Sequence, residues 1–171
     1  MIPRHCQNGQ VFHEVELGVM LKRGGRHHHK LSEWKDDIGA YFLLLDYTDV
    51  EETKRAVENG LPWYLAKNHD NFLVLSDPIP VEEIEDPHNV ELELKINGQV
   101  RQKDNTGNMH FKIYDQLEYL AKYMTLNPGD ILMTGTPEGM GPLSEGDKLE
   151  ASLTYQGRVL ATLKDTIQKE K

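Results

Sequence analysis

Two glutamates near the start of the chain have the spacing of a metal-chelating pair. Glu14 and Glu16 are separated by one residue in a segment that alternates like a β-strand. Their side chains should therefore share one face, about 6.5–7 Å apart along the strand. Asp46 ends a run of apolar residues that is typical of a buried strand. If the two strands are neighbours, three carboxylates converge.

Such a convergence would require a cation, because like charges brought together without one are costly. Oxygen-only ligands select hard ions, Mg²⁺ or Mn²⁺, and three protein ligands leave positions open for water or a substrate. The alternative is a solvent-exposed strand face. Glu-x-Glu is common on such faces, and spacing alone does not show that Asp46 joins the pair.

A lysine and a glycine-rich loop could complete a site for an anion. Lys67 follows an apolar run, where its ammonium group could be held near a negative ligand, and a surface lysine is the alternative. Residues 134–142 are dense in Gly, Thr and Pro and directly follow a predicted strand. The N–H of Gly135 and the hydroxyl of Thr136 could cradle a substrate carboxylate, although a structural turn has the same composition.

Nucleophilic catalysis is not indicated. There is no Gly-x-Ser-x-Gly elbow, and the single cysteine, Cys6, lies near the chain start, where fraying is expected. A lone cysteine cannot form an internal disulfide, which fits a reducing compartment. The histidine-rich residues 26–30 are interpreted as a solvated turn rather than a metal-binding tract.

Composition predicts one domain over residues 1–171, a length that can bury a single core. The 19 Lys and Arg against 28 Asp and Glu give a net charge of −9. This balance argues against binding to nucleic acid or to anionic membranes, which require clustered positive charge. No apolar run approaches the roughly 20 residues of a membrane-spanning helix, so no direct membrane span is expected.

Hydrophobic periodicity predicts more strands than helices. Strands are expected at residues 11–20, 41–45 and 131–133, and hairpins at 90–103 and 148–163. Helices are expected to begin at Ser32 and close at Gly39, to span residues 49–59, and to span residues 113–124. The fold class is therefore β-rich α+β, with a sheet rolled around a core and a few peripheral helices.

Several motifs in order resemble the fumarylacetoacetate hydrolase family. They are Phe12-His13-Glu14-Val15-Glu16-Leu17-Gly18-Val19, Leu45-Asp46, Gly60-Leu61-Pro62-Trp63 with Ala66-Lys67, Gly129-Asp130-Ile131-Leu132, and Thr134-Gly135-Thr136-Pro137-Glu138-Gly139. Within the family the chain looks most like the mitochondrial acylpyruvases that also decarboxylate oxaloacetate. The similarity runs over residues 11–159.

The resemblance implies a β-roll, a dimer and a mitochondrial location; without it, a cytoplasmic one would be assumed. It implies that Glu14, Glu16 and Asp46 are ligands of Mg²⁺ or Mn²⁺, if the site is retained. It further implies that Lys67 is catalytic and that Thr136, with Gly135, binds a small 2-oxo acid.

The chain departs from the family pattern in two places. The family's water-activating His-Glu pair lies in an N-terminal segment that is expected to precede Met1, so the domain lacks that segment. After Asp46, Val50 replaces a substrate-facing arginine beside an added Asp49. Loss of that arginine should weaken the binding of an anionic substrate.

Two functional hypotheses follow. The sequence favours a degenerate family member, a pseudoenzyme that is non-catalytic or weakly active and serves as a structural or binding subunit of a larger assembly. The alternative is an active Mg²⁺-dependent acylpyruvate hydrolase or oxaloacetate decarboxylase, which acts on C–C bonds of 2-oxo acids. In either case the expected partners are a second copy of the chain or other protein subunits.

Overall fold

β-strands form most of the regular structure in the computed structural model, which describes residues 2–6, 9–25 and 34–170. In chain order the strands are β1 (Val11–His13), β2 (Val15–Leu21), β3 (Ile38–Asp46), β4 (Thr48–Asp49), β5 (Leu73–Leu75), β6 (Ile79–Pro80), β7 (Val90–Ile96), β8 (Gln99–Asn105), β9 (Ile131–Met133), β10 (Gly141–Pro142), β11 (Lys148–Tyr155) and β12 (Arg158–Thr166). The α-helices are α1 (Val50–Glu58) and α2 (Ile113–Tyr123), and short 3-10 helices span Trp34–Asp37, Trp63–Ala66, Val81–Glu83 and Thr106–Asn108. The expected β-rich α+β class is confirmed.

The strands pair into separate sheets around one apolar core. One sheet has the order β5-β3-β2-β9, with β6 also pairing to β3; a second has the order β12-β11-β7-β8, and a small third has the order β10-β1-β4. The core draws side chains from the two larger sheets and from α2. Within the described residues, no helix is long and apolar enough to cross a bilayer.

Strand β3 runs through the middle of its sheet, as its continuous apolar sequence predicts. Residues 41–45 are all buried, which is expected of a strand covered on both faces. Antiparallel pairing sets Val15 of β2 opposite Leu45. That register brings Asp46, at the end of β3, beside Glu14, whose carbonyl accepts a 2.9 Å hydrogen bond from the Asp46 N–H.

The predicted strand over residues 11–20 is divided at Glu14. The reason is that the chain changes sheets there: β1 pairs with β4 and β10, whereas β2 pairs with β3 and β9. The predicted helix closed by Gly39 is also wrong, because Gly39 lies within β3 and only Trp34–Asp37 forms a 3-10 turn. The expected cap at Ser32 and the histidine-rich residues 26–30 lie outside the described residues.

The two predicted hairpins are confirmed, and their turns have the expected backbone. Asn97 and Gly98 have φ values of 52° and 78°, and Gln156 and Gly157 have 50° and 77°. Positive φ at both central residues matches the right-handed twist of the flanking strands. In α2, the predicted apolar face is buried at Ile113, Leu117 and Ala121.

Candidate metal-binding site

Three carboxylates converge in the interior where β1, β2 and β3 meet. We call Glu14, Glu16 and Asp46 the carboxylate cluster. All three are buried, and one oxygen from each lies within 4.8 Å of the others. Glu14 sits at the break between β1 and β2, Glu16 on β2, and Asp46 at the end of β3. The alternative of a solvent-exposed strand face therefore does not apply, and the role of the three residues as metal ligands stays a prediction.

Neighbouring donors fix the orientation of two of these carboxylates. The Thr48 hydroxyl donates to Oε1 of Glu14 at 2.6 Å, and the backbone N–H of Gly135 donates to Oε2 of Glu16 at 2.8 Å. Each donor uses one lone pair of a carboxylate oxygen and leaves further acceptor capacity. These bonds orient the carboxylates without neutralising their charge.

Lys67 is the cation that contacts the carboxylate cluster. Its Nζ donates to Oε2 of Glu14 at 3.1 Å and to Oδ2 of Asp46 at 2.5 Å. Burial alone would lower the pKa of Lys67, but the hydrogen bond to Asp46 and the charges of Glu14 and Asp46 outweigh burial and raise it. Lys67 is therefore an ammonium ion at neutral pH and not a free base.

Burial makes the carboxylates reluctant to ionise together. It raises the pKa of Glu16 from 4.5 to about 7; the negative charges of Asp46 and Glu14 add to this rise, and the Gly135 N–H opposes it. Burial also raises the pKa of Asp46, against the opposing effect of Lys67. Protons therefore compete with cations for this site near neutral pH.

A divalent hard cation fits this donor set. With all groups ionised, three carboxylates (−3) and Lys67 (+1) sum to −2, which is the charge that such an ion would cancel. One ion with Mg–O bonds of about 2.1 Å can bind oxygens up to about 4.2 Å apart, so carboxylate oxygens within 4.8 Å of one another need only small shifts to share it. Lys67 Nζ already occupies a cation position between Glu14 and Asp46. Oxygen-only donors favour Mg²⁺ or Mn²⁺ over softer ions.

The glycine-rich loop after β9 is fastened to β2 by its threonines. The hydroxyl of Thr134 donates to the Leu17 carbonyl and that of Thr136 to the Val15 carbonyl, each at 2.8 Å. Together with the Gly135 N–H that binds Glu16, these bonds use donors that the sequence suggested for a substrate anion. In this structure the loop supports the carboxylate cluster directly.

Gln102 is a buried organising residue that sequence reasoning missed. Its amide nitrogen donates to Thr136 Oγ1 at 2.7 Å and to the Pro137 carbonyl at 2.9 Å. Its oxygen accepts from the Val15 N–H at 3.2 Å and lies 2.9 Å from Nδ1 of His13. Since that oxygen can only accept, His13 carries its proton on Nδ1. Burial lowers the pKa of His13, which keeps the ring neutral.

A cleft of about 660 Å³ lies on the other side of the same loop. Gly135 and Thr136 line it, together with the apolar side chains of Met109, Phe111 and Met133. None of the three clustered carboxylates lines this cleft, but Gly135 contacts both the cleft and Glu16. Gly135 thus lies between the cleft and the carboxylate cluster, so a small anion in the cleft would contact a residue that also contacts Glu16.

The side chain of Asp49 makes its hydrogen bonds away from the carboxylate cluster. One oxygen caps α1 by accepting from the Glu52 N–H at 3.0 Å, and the other accepts from the Cys6 thiol at 3.1 Å. Cys6 is buried rather than frayed. Burial, followed by the hydrogen bond to Asp49 and its charge, raises the pKa of Cys6 to about 12, so the thiol is not an activated nucleophile.

Comparison with known proteins identifies relatives over nearly the whole chain. A family profile described as "Fumarylacetoacetate (FAA) hydrolase C-terminal" matches residues 1–167. The chain is 44% identical over 162 residues to the mitochondrial oxaloacetate tautomerase oaa1 of Schizosaccharomyces pombe, which covers 93% of this chain and 73% of the relative. It is 36% identical over 148 residues to a mitochondrial oxaloacetate decarboxylase of Dictyostelium discoideum, with 86% and 67% covered.

Solved structures share the same fold. The yeast protein ynq8, described as a fumarylacetoacetate hydrolase family protein, aligns with a TM-score of 0.92 at 28% identity, over 99% of this chain and 71% of the other. A fumarylpyruvate hydrolase from Pseudomonas aeruginosa, solved with Mn²⁺ and pyruvate, aligns with a TM-score of 0.89 at 25% identity, over 99% and 70%.

Proposed function

The chain belongs to the fumarylacetoacetate hydrolase family, and from that premise we propose that it is a divalent-metal-dependent enzyme that enolises or decarboxylates a small 2-oxo acid such as oxaloacetate. One observation carries the proposal: three buried carboxylates lie within 4.8 Å of one another, with Lys67 bound to two of them. The family and the fold expected from the motifs are confirmed.

The comparisons favour this alternative over the pseudoenzyme hypothesis. The curated relatives named above are a tautomerase and a decarboxylase of oxaloacetate. Both reactions pass through an enol or enolate of a 2-oxo acid and need no activated water, unlike hydrolysis of a C–C bond. The proposal is also supported by the convergence of the three carboxylates, which accept hydrogen bonds from three separate segments.

In this proposal Glu14, Glu16 and Asp46 hold Mg²⁺ or Mn²⁺. The bound ion supplies Lewis-acid stabilisation of the negative charge that develops on the 2-oxo group, worth several kcal/mol. Lys67 holds a proton on Nζ and donates a hydrogen bond to an anionic oxygen of the substrate. Two of its three N–H groups are donated to Glu14 and Asp46, which leaves the third for the substrate.

Gly135 and Thr136 are proposed as the residues that position the substrate. Both line the cleft beside the carboxylate cluster, and this cleft is large enough for a four-carbon acid. In this structure the Gly135 N–H is donated to Glu16 and the Thr136 hydroxyl proton to the Val15 carbonyl, while Oγ1 of Thr136 accepts from Gln102. Each residue must therefore release its present acceptor in order to donate to an anionic substrate. We also propose a mitochondrial location, which the names of the relatives support.

Assays with purified protein, oxaloacetate and Mg²⁺ or Mn²⁺ test this function. Enol–keto conversion is followed by ultraviolet absorbance and decarboxylation by pyruvate release, against a blank with metal and no protein. We expect Glu16→Gln and chelator each to reduce turnover by roughly a hundredfold or more. Glu118→Gln, an exposed acid on α2, is the matched control and should leave turnover unchanged.

Two results would contradict the proposal. One is turnover no greater than the metal blank, and the other is turnover that survives both the chelator and Glu16→Gln. Direct titration of Mg²⁺ by calorimetry separates the causes, because a protein that binds the ion without turnover supports the pseudoenzyme hypothesis instead.

A further inference from the structure

Four side chains outside the carboxylate cluster bring nitrogen, sulfur and oxygen donors to one place. Oδ2 of Asp49 lies 3.1 Å from Sγ of Cys6, 3.6 Å from Nε2 of His5 and 3.7 Å from Nε2 of His69. The ligand atoms of His5, Cys6 and Asp49 lie within 4.8 Å of one another. We call these four residues the His/Cys cluster.

His69 presents a solvent-shielded ring nitrogen that lies 3.7 Å from Oδ2 of Asp49, beyond hydrogen-bond distance. Its Nε2 makes no hydrogen bond within the described part of the chain, although it is shielded from solvent. The ring is held in place by the rings of His5 and Phe72, with centroids 5.0 Å and 4.7 Å away. A buried polar atom without a hydrogen-bond partner destabilises the fold and needs an explanation, and a bound ion is one.

The carboxylate of Asp49 is oriented as a metal ligand would be. Its Oδ1 accepts the N–H of Glu52 and so caps α1, which fixes the direction of Oδ2 toward His5, Cys6 and His69. Ligands of bound metals are generally held by such second partners, which set their geometry before the ion arrives.

We propose that the His/Cys cluster is a second metal site, which binds Zn²⁺ or a similar borderline-soft divalent ion. Its ligands are His5, Cys6 and Asp49, whose ligand atoms already converge, and Nε2 of His69, which lies 3.7 Å from Asp49 Oδ2 and moves in as the fourth ligand. Zn²⁺ bonds of about 2.0–2.3 Å at tetrahedral angles place ligand atoms about 3.3–3.6 Å apart. The separations from Asp49 Oδ2, 3.1 to 3.7 Å, bracket that range. On binding, the thiol proton of Cys6 leaves to solvent, and the sulfur bonds to the ion.

This site differs from the carboxylate cluster in the ion that it selects. Imidazole and thiolate donors favour zinc and related transition metals, whereas the all-oxygen set favours Mg²⁺ or Mn²⁺. The His/Cys cluster can also be reached from solvent. The side chain of His5 is 63% exposed and borders the buried carboxylate of Asp49, which is 4% exposed. The proposal does not depend on the proposed enzymatic function.

Cobalt substitution tests the site directly. Metal-free full-length protein is titrated with Co²⁺, whose thiolate complexes give a charge-transfer band in the near ultraviolet. The chain has one cysteine, so such a band can come only from Cys6. We expect the band at one equivalent of Co²⁺, its loss on addition of Zn²⁺, and its absence in Cys6→Ser.

Variants of the other ligands decide whether Cys6 acts within the cluster. His69→Gln and His5→Gln should each weaken Co²⁺ binding by at least about tenfold, since loss of a ligand costs no less than loss of an outer-shell partner. His5 is exposed, so its replacement should not disturb folding. His110→Gln, an exposed histidine elsewhere, and Glu16→Gln, in the carboxylate cluster, are controls that should leave the band unchanged.

Each remaining outcome overturns the proposal. Co²⁺ binding without the band places the ion at other side chains, such as the histidine-rich residues 26–30. A band that survives His5→Gln and His69→Gln with undiminished affinity shows that Cys6 binds the ion without the two histidines. Failure to bind either ion in folded protein, as judged by circular dichroism, shows that the cluster is only an ion-pair network.

Discussion

The charge of Glu16 depends strongly on its surroundings. Its pKa of about 7 means that near neutral pH the metal-free protein holds it as a mixture of acid and carboxylate. The cause is mainly burial, which disfavours the charged form. A bound cation would remove that penalty, so occupancy of the site and ionisation of Glu16 should rise together.

We expect the stability of the metal-free protein to fall as Glu16 ionises. A raised folded-state pKa contributes stability that is full below the unfolded value of 4.5 and is lost as the pH rises through about 7. Relative to Glu16→Gln, which cannot ionise, the wild type should lose up to about 3 kcal/mol across this range. Urea denaturation at a series of pH values, with chelator present, measures the difference.

Saturating Mg²⁺ provides the control for this prediction. With the ion present, the carboxylate form is the one that binds, so the apparent pKa of Glu16 should fall toward the unfolded value. The loss of wild-type stability over this pH range should then largely disappear, and the wild type and Glu16→Gln should follow nearly parallel curves. Parallel pH curves for the two proteins without metal would show that the ionisation of Glu16 is not linked to folding.

Lys67 should compete with the metal ion for Glu14 and Asp46. Its ammonium group contacts both carboxylates, and two positive charges at this range repel each other by several kcal/mol at most. We expect Lys67→Met to bind Mg²⁺ at least about tenfold more tightly, measured by calorimetry, and to lose turnover because the substrate loses its hydrogen-bond donor.

Lys122→Met is the matched control, because it removes the same charge from an exposed position on α2. It should change neither Mg²⁺ affinity nor turnover. Equal affinity for Mg²⁺ in Lys67→Met and in the wild type would mean that Lys67 does not compete with the ion.

At the level of elements, the loop after β9 connects the cleft to the carboxylate cluster. Its conformation depends on Gly139, which has a φ of +94° and approaches β8 so closely that an added Cβ would lie 2.2 Å from the Arg101 carbonyl oxygen. Both the backbone angle and the close contact exclude a side chain there. The loop is thus pressed against β8, where Gln102 holds it by two hydrogen bonds.

Gly139→Ala should therefore destabilise the protein through two effects, the strain of a positive φ and the clash of the added Cβ with the Arg101 carbonyl oxygen. Gly146→Ala is a suitable control, since Gly146 has a φ of +90° and a Cβ added to it would meet nothing within 4 Å. The control should cost about 1–2 kcal/mol from backbone strain, and Gly139→Ala about 1–3 kcal/mol more from the clash. Chemical denaturation measures the free energy of unfolding of both variants. Equal decreases would show that the loop can move away from β8 and avoid the clash.

Sequence patterns predicted the elements whose local signals are strong. The apolar run before Asp46 and the Asn97-Gly98 turn specify a buried strand and a hairpin without reference to the rest of the chain. Gln102 could not be predicted, because β8 is mostly polar and only its pairing with β7 decides which face is buried. The break at Glu14 could not be predicted either, since it depends on which strands β1 and β2 pair with.

For the whole molecule, an apolar ridge beside the site is a candidate contact surface. Trp63, Tyr64 and Leu65 are 57%, 66% and 56% exposed on the 3-10 helix that precedes Lys67. Contiguous exposed aromatic side chains are typical of protein interfaces. The homodimer or hetero-assembly expected from the resemblance, and the single domain over residues 1–171, remain predictions, and this ridge is where we propose that a second copy packs.

Trp63→Asp should dissociate such a dimer, because it replaces a large aromatic side chain of the apolar ridge by a charge. Light scattering coupled to size-exclusion chromatography measures the mass. Tyr119→Asp, which changes an exposed aromatic residue on α2, is the control and should leave the mass unchanged. A wild-type protein that is monomeric, or a dimer that survives Trp63→Asp, would contradict this assignment of the interface.

The buried amide of Gln102 also bears on how the chain finds its fold. It is the one residue of β8 that is fully buried, and it contacts His13 and Val15 from one side and Thr136 and Pro137 from the site loop. A slip of β8 by one residue would turn this amide to the opposite face of the sheet and leave its partners without their hydrogen bonds. Gln102 therefore fixes the register of the β7–β8 hairpin. A misaligned hairpin loses the hydrogen bonds of Gln102, and only the native alignment lets this residue hold the loop after β9 beside the carboxylate cluster.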